Sequence, residues 1–415
     1  TTHPFRHKKV YDIPHALKDV GDKTYSYQLL RQEFDAKLPE DDERSLEYVQ
    51  KHHRKRRYGN FAIPPDAPTG VYDVYNCPDQ PPEGYPYQWN LIDDILHNWP
   101  VNAYRTPAEK LHVGLCQFDY KRDLQKALEY RANEVPFVMK GDPEVARTVE
   151  RWNYEDYMQR LMGNVPHRCE HSPNNHFMYW LKPTAKTPPT HKRFVNQKFG
   201  TKILRPDNWT EPTKLLRMKY IDWLKHANVT DDRLLGPDME HWYYRLIGCG
   251  AMGPQCDKGS SEYLFDELIF FQPKPGGLYL VEHEKQKGIH CRFGMKGVIA
   301  ENHFDGSRNS IALLGGERRY ILAHPDQCIP MALYPKEHPS ARHSAVDWTR
   351  PEEYLDEYPE FRNAMANEVV LQPGDVLYLP TNWFHYIVSL ELNFQCNTRS
   401  GVGFEYMEPL KRCGF

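Results

Sequence analysis

The chain lacks any run of about 18 consecutive apolar residues, so no transmembrane helix is expected in its 415 residues. It has no C-x-x-C pair among its nine cysteines (77, 116, 169, 249, 256, 291, 328, 396 and 413), which argues against a zinc ribbon. The odd count leaves at least one thiol unpaired in a monomer. Cys249 and Cys256 could close a loop or stay reduced in a core. The chain also lacks a large net charge. Its formal charge is −3 and its pI is near 6.7, so it has no global attraction to nucleic acid or a membrane surface. There is no internal repeat, no initiator Met before Thr1-Thr2-His3-Pro4, and no apolar leader, which suggests a mature or trimmed form. Two glycosylation sequons, Asn208-Trp-Thr210 and Asn228-Val-Thr230, together with the missing Met, favour a secretory or organellar lumen over the cytosol. Hydrophobic residues make up 40% and aromatics 13%, enough for a sizeable core and, by length, for two or three domains.

Residues 1–118 read as an N-terminal extension, and residues 119–415 as the main domain. Glu40-Asp-Asp-Glu43 opens a helix that closes on Lys51-His-His-Arg-Lys-Arg-Arg57, with acid first and base last to suit the helix dipole. This is expected to be a solvated helix end. Its alternatives are an anion contact or a polybasic processing site; the aromatic interleaving of a single-strand binder is missing. Residues 61–107 are rich in proline and aromatics. Proline cannot sustain a helix interior or a central strand, and so many aromatics argue against free disorder. An arm packed on the main domain is expected, with a short helix at residues 91–98; docking of this arm on a partner is the alternative. Further on, the pattern predicts a helix at 119–131, a strand at 134–141, and a helix at 152–163 capped by Asn153 and stopped by Gly163. It then predicts a loop over 170–214, an amphipathic helix at 211–228, a strand within 238–248 and a short helix at 261–268. Strands at 277–281 and 291–299 lead into a half made of short strands and turns. The fold class is mixed α+β with an all-β core: a double-sheet jelly roll around a ligand cavity, buttressed by helices.

Within that half, Glu301-Asn-His-Phe-Asp-Gly-Ser-Arg-Asn309 places His303 and Asp305 two residues apart. On a strand, residues at i and i+2 project from the same face. Eighty residues after Asp305 stands His385, just past the buried strand Val376-Leu-Tyr-Leu379 and its Pro373-Gly374-Asp375 turn. Two imidazoles and one carboxylate with open positions are the donor set of non-haem Fe(II) oxygenases. A hydrogen-bonded His/Asp pair in a sheet is the plainer reading of His303 and Asp305 taken alone.

The flanks carry a resemblance. They are Gly294-Met-Lys-Gly297, Asn309 six residues after His303, Arg319-Tyr-Ile-Leu322, His324-Pro-Asp326, Tyr334-Pro335, Ser344-Ala-Val-Asp347, and Pro373-Gly-Asp-Val-Leu-Tyr-Leu-Pro380 with Trp383 and His385. The stretch resembles the JmjC family of cupin-like Fe(II)/2-oxoglutarate oxygenases, and within it the small hydroxylase branch that includes the hypoxia-factor asparaginyl hydroxylase. The match is specific over about residues 285–400, weaker back to about 134, and absent earlier. The resemblance implies a double-stranded β-helix with His303, Asp305 and His385 as metal ligands. It implies Fe(II) and 2-oxoglutarate as cofactors, and oxidative decarboxylation coupled to hydroxylation of a C–H bond. Asn309, Asn397 and Tyr243 fall at cosubstrate-binding positions. Arg318, fifteen residues after His303, stands where the family usually has lysine, and Ala300 stands where it has a hydroxyl residue. Arg318 is therefore expected to face inward and grip the far carboxylate, with Arg319 outward as a surface charge. A buried Arg318 without a dicarboxylate would need an acid such as Glu317 or Glu301. The reading is an oxygenase acting on a protein or peptide side chain. Its alternatives are a demethylase, a cupin that does not use 2-oxoglutarate, and a non-catalytic scaffold that keeps the metal site.

Overall fold

The computed structural model describes residues 27–36, 73–86, 89–104, 108, 111–154, 156–183, 195–196, 201–207, 209–249, 261 and 263–415. The helix expected between residues 40 and 57, Asn208 and Cys256 lie outside these. The strands, in chain order, are β1 (Asn90–Leu91), β2 (Gln117–Asp119), β3 (Phe137–Lys140), β4 (His167–Ser172), β5 (His176–Phe177) and β6 (Val195–Asn196). There follow β7 (Thr201–Lys202), β8 (Lys214–Met218), β9 (His241–Gly248), β10 (Gln286–Gly294), β11 (Ile299–Phe304) and β12 (Asn309–Gly315). The last are β13 (Arg318–Ala323), β14 (Met365–Leu371), β15 (Val376–Leu379), β16 (Phe384–Ser389) and β17 (Asn393–Ser400). They build a six-stranded sheet, β1-β14-β13-β16-β11-β5, and a nine-stranded sheet, β2-β3-β15-β12-β17-β10-β9-β4-β8, with β6 and β7 paired apart.

The two large sheets pack face to face as a jelly roll. Ile311, Leu313, Leu377 and Leu379 from one sheet meet Tyr320, Leu322, Val369, Leu371 and Ile387 from the other. The alternate residues point away from this interior but are not wet. Ala312, Leu314, Val376 and Tyr378 pack under a layer that includes Val145, Val149 and Trp152 of the helix Pro143–Trp152. Ile321, Ala323, Tyr386 and Val388 pack under Ile92, Ile95 and Leu96 of the helix Ile92–Asn98. Both faces of β12, β13, β15 and β16 are buried throughout, which is why these strands read as near-continuous apolar runs.

The described part of the first 118 residues is built into this architecture. β1 pairs with β14, and Cys77 is joined to Cys116. Cys291 is joined to Cys396 and Cys328 to Cys413. Cys249 is also disulfide-bonded, and Cys169 is a buried free thiol. Among the described residues no helix is long and apolar enough to cross a membrane.

Several local expectations are corrected. The predicted helix over 211–228 is β8 followed by a helix Tyr220–Ala227 only. Leu215 and Leu216 sit exposed on an edge strand, where β4 offers backbone partners that outweigh helical spacing. Asn153 does not cap the start of a helix; it ends the helix Pro143–Trp152. That missed helix carried its signal in Asp142-Pro143, since Asp142 accepts from the Glu144 N–H and Pro143 fits the first turn. Residues 277–281 are turns, and the strand expected over 291–299 is broken between β10 and β11, where Gly297 takes φ +88°. Arg319 is not a surface charge. It faces away from the interior, as alternation demands, but the Ile92–Asn98 helix covers that side. It donates to Glu368 at 2.6 Å and to the Trp99 carbonyl at 2.6 Å, with its guanidinium over the Trp99 ring.

Glu368 is fully buried and also accepts from the His112 N–H. Arg319→Ala should strand that carboxylate and destabilise the fold by about 3–5 kcal/mol. Urea unfolding of the variant against the parent measures this.

Candidate metal centre

β11 and β16 run antiparallel with His303 directly opposite His385. Two residues separate Ile387 from His385, but three separate their partners Ala300 and His303, so β11 carries one extra residue. This bulge lets Ala300 and His303 both line the cavity although they are three apart. β11 ends at Phe304, and Asp305 lies one residue beyond it, also lining the cavity. One donor atom from each of His303, Asp305 and His385 falls within a 4.8 Å cluster. The His385 Nε2 to Asp305 Oδ2 distance is 3.9 Å.

Backbone carbonyls set the tautomers. His303 Nδ1 donates to the Glu301 carbonyl at 2.7 Å, and His385 Nδ1 to the Trp383 carbonyl at 3.1 Å. Each ring then offers Nε2 as a lone-pair donor. His303 also stacks on His343, with ring centres 5.0 Å apart. Burial, together with His385 and His343, holds the His303 imidazole well below its ordinary value. Burial lowers His385 as well, against the pull of Asp305. Burial alone would raise the Asp305 carboxyl. Arg399, 2.6 Å from its Oδ2, leads the two histidines in holding it far below the usual carboxylate range. The site therefore presents two neutral imidazoles and a carboxylate, the protonation states a divalent metal requires. A carboxylate has two oxygens, so the Arg399 bond leaves one for a metal.

The cavity has a volume of about 540 Å³. Opposite the histidines, Asn309 of β12 and Asn397 of β17 join amide to amide at 2.8 Å, and Asn309 reaches Asp305 at 3.4 Å. Arg292 of β10 donates to the side-chain Oδ1 of Asn397 at 2.9 Å. Tyr243 of β9 lines the same wall. Of the residues expected to meet the cosubstrate, Asn309, Asn397 and Tyr243 line the cavity, whereas Arg318 does not. Arg318 is fully buried behind that wall. It donates to the side-chain carbonyls of Asn393 and Gln395 and to the Arg292 backbone carbonyl, with the Tyr243 ring 5.5 Å away. Neutral acceptors thus hold this guanidinium. The acid Glu301, expected as a possible partner, pairs instead with His176. Arg292, Arg399 and His343 were missed. A signal existed for two of them: Arg399 follows Asn397 at i+2, and His290 and Arg292 alternate with buried Cys291 and Phe293.

The fold and the site define a jelly-roll protein with a His/Asp/His metal pocket. Residues 124–399, well over half the chain, match the family described as "Cupin-like domain", and the chain belongs to the cupin-like JmjC family. It is similar to lysine-specific demethylase 8 of Xenopus tropicalis, 33% identical over 112 residues, which are 27% of this chain and 24% of that protein. It is similar to tRNA wybutosine-synthesizing protein 5 of Danio rerio, 29% identical over 160 residues, 38% of this chain and 44% of that one. It is also similar to human HSPB1-associated protein 1, 32% identical over 102 residues, 24% of this chain and 20% of that one. The match spans less than half the length of each of these relatives. JmjC proteins are typically 2-oxoglutarate-dependent oxygenases that use Fe(II), and the donor set here suits that ion.

Replacing His303 and Asp305 together by Ala should abolish Mn(II) or Fe(II) binding by the folded protein, read as metal content against circular dichroism. In the parent, the depressed histidines should keep Mn(II) affinity flat as the pH falls through about 6.5, where an ordinary imidazole takes up its proton. A loss of affinity centred there would contradict the assigned environment.

Proposed function

We propose that the chain is an Fe(II)- and 2-oxoglutarate-dependent oxygenase that hydroxylates a protein side chain. The observation that carries this is the convergence of His303, Asp305 and His385 on a cavity whose facing wall offers amides and cations. The chemistry that Fe(II) supplies in such a site is oxidative decarboxylation of 2-oxoglutarate to succinate and CO2, coupled to hydroxylation of a C–H bond. The rest is the work of the chain's own groups. His303 and His385 present Nε2 without first losing a proton. Arg399 keeps Asp305 ionised. The Asn309–Asn397 pair fixes the wall beside the carboxylate. Arg292 is the cation placed to hold the far carboxylate of 2-oxoglutarate, since Arg318 stands behind Gln395 and is occupied. Phe177, Ile311 and Ile387 line the cavity with apolar surface that limits water.

Demethylation of a lysine would use the same site. The cavity is lined by Arg168, Arg245, Lys287, Arg292, Arg342 and Arg399, and by Asp305 as its acid. A methylated ammonium would enter against like charge, which favours hydroxylation of an uncharged or acidic group. We further propose an oxidising compartment. The three disulfides support this, because such bonds are rare where thiols are kept reduced. The sequon at Asn228 adds no support: its amide nitrogen, the atom a glycan would join, is buried.

Protein loaded with Fe(II) should turn 2-oxoglutarate over to succinate, with faster release when a substrate peptide is present. Arg292→Gln should raise the 2-oxoglutarate dissociation constant about tenfold and leave Mn(II) binding unchanged. Metal-loaded parent protein that shows no 2-oxoglutarate binding by calorimetry would favour the scaffold reading instead. For the compartment, non-reducing peptide mapping of protein from its native source should recover the Cys291–Cys396 linkage; free thiols at both positions would count against it.

A further inference from the structure

Strand register brings four arginines into one row. Arg217 of β8 is directly opposite Arg168 of β4, Arg168 is opposite Arg245 of β9, and Arg245 is opposite Arg292 of β10. Directly opposite residues share a face of the sheet, and like charges so placed repel. At about 4.8 Å per strand the row is roughly 14 Å long. It begins outside and ends inside: Arg217 is exposed, the Arg168 side chain is 31% exposed and that of Arg245 is 15% exposed. Arg292 then joins the Asn397–Asn309–Asp305 chain of hydrogen bonds that reaches the metal centre.

The row is under-compensated. Glu170 bonds both Arg168 at 3.0 Å and Arg245 at 2.6 Å. The bonds of Arg217 and Arg292 are to the Pro166 carbonyl and the Asn397 amide, which are neutral. The Nε atoms of Arg168 and Arg245 are buried with no hydrogen-bond partner. Among the described residues, the one carboxylate bonded to this row is Glu170, which is shared by Arg168 and Arg245, while Asp305 acts on Arg292 from beyond the Asn309–Asn397 pair. Fe(II) and the 2-oxoglutarate dianion cancel in net charge, and the far carboxylate would pair Arg292 alone, so Arg217 and the Arg168–Arg245 pair with its single carboxylate would keep a surplus. A structural ladder would not gather repelling charges here. A binding surface would, because the repulsion is relieved when an anion arrives.

We propose that the arginine row is the entry track for an acidic peptide, which presents its target side chain to the metal with carboxylate or phosphate groups laid along Arg217, Arg168 and Arg245. The inference rests on the oxygenase reading only for what happens at the metal. An extended peptide of about four residues spans the row. RNA fits it less well: a nucleic-acid backbone requires a continuous exposed basic track, and this row runs from an exposed arginine to a half-buried one at the cavity wall, in a protein of net charge −3.

The test is fluorescence anisotropy on the full Mn(II)-loaded chain, with matched labelled peptides carrying aspartate, phosphoserine, asparagine or lysine, and with oligouridylate RNA. An acidic version should bind at least about tenfold more tightly than the asparagine version, and the preference should fade as salt is added. Whether aspartate or phosphoserine binds more tightly identifies the oxyanion. Arg217→Gln, at an exposed position, and Arg168→Gln should each reduce the preference severalfold. Glu170→Gln should strengthen it, an opposite shift that a merely structural role for Glu170 would not give. Equal binding of acidic and neutral peptides, or tighter binding of the RNA, would overturn the proposal. Calorimetry of 2-oxoglutarate on the same protein separates the two claims. Acidic-peptide preference without 2-oxoglutarate binding sinks the oxygenase reading alone; 2-oxoglutarate binding without the preference sinks this one alone.

Discussion

The site depends on the pairing of β11 with β16. That ladder sets His303 against His385 and, through its bulge, turns Ala300 and His303 to the same side. Because side chains alternate, a slip of one residue would send both imidazoles into the outer apolar layer, where Phe304, Phe384 and Tyr386 now sit. The register is held by burial on both faces. Ile387 is fixed in the interior, and Phe384, Tyr386 and Val388 beneath the outer layer. Packing of ordinary aliphatic and aromatic groups therefore determines where the donor atoms meet.

Electrostatics inside the barrel follow from the same alternation. Arg318 and Arg319 are adjacent, both fully buried, and solve the cost of burial differently. Arg319 meets a carboxylate, Glu368. Arg318 meets amide and backbone carbonyls, which satisfy its donors but leave its charge in place. That charge adds to Arg292 and to the row beyond it, so the cavity wall is cationic through its depth. Asp305 stays ionised in this setting because Arg399 offsets the cost of its burial. The cations lining the cavity are thus of a piece with Arg399, which holds the Asp305 carboxylate ionised.

The helices contribute by covering the sheets. The helix Pro143–Trp152 and its neighbours seal the large sheet, and the helix Ile92–Asn98 seals the small one. With the central strands covered on both outer faces, the cavity between the sheets holds the donor cluster, and the basic row leads from it to the exposed edge strand β8. The described part of the segment that reads from sequence as a proline-rich arm belongs to this covering layer, tied in by β1 and by the Cys77–Cys116 bond.

Local chemistry in the sequence was sufficient for the buried strand at residues 376–379 and for His303 and Asp305 on one face; the jelly-roll class and the grouping with His385 followed from these together with the resemblance carried by the flanking motifs. The local signals are a short apolar run, turn residues such as Pro373-Gly374, and an H-x-D pair, whereas His385 stands eighty residues beyond Asp305. The resemblance was also sufficient for Asn309, Asn397 and Tyr243 as cavity residues. Tertiary structure alone decided the rest. Leu215 and Leu216 became an edge strand because β4 was available to pair with it. Arg319 was buried because a helix more than two hundred residues earlier lies over it. Arg318 was drawn behind the wall by Asn393 and Gln395, over seventy residues away. The arginine row has no sequence signature, since Arg168, Arg217, Arg245 and Arg292 are scattered along the chain. Cross-strand register places them side by side, and register is a property of long-range pairing that no local pattern contains.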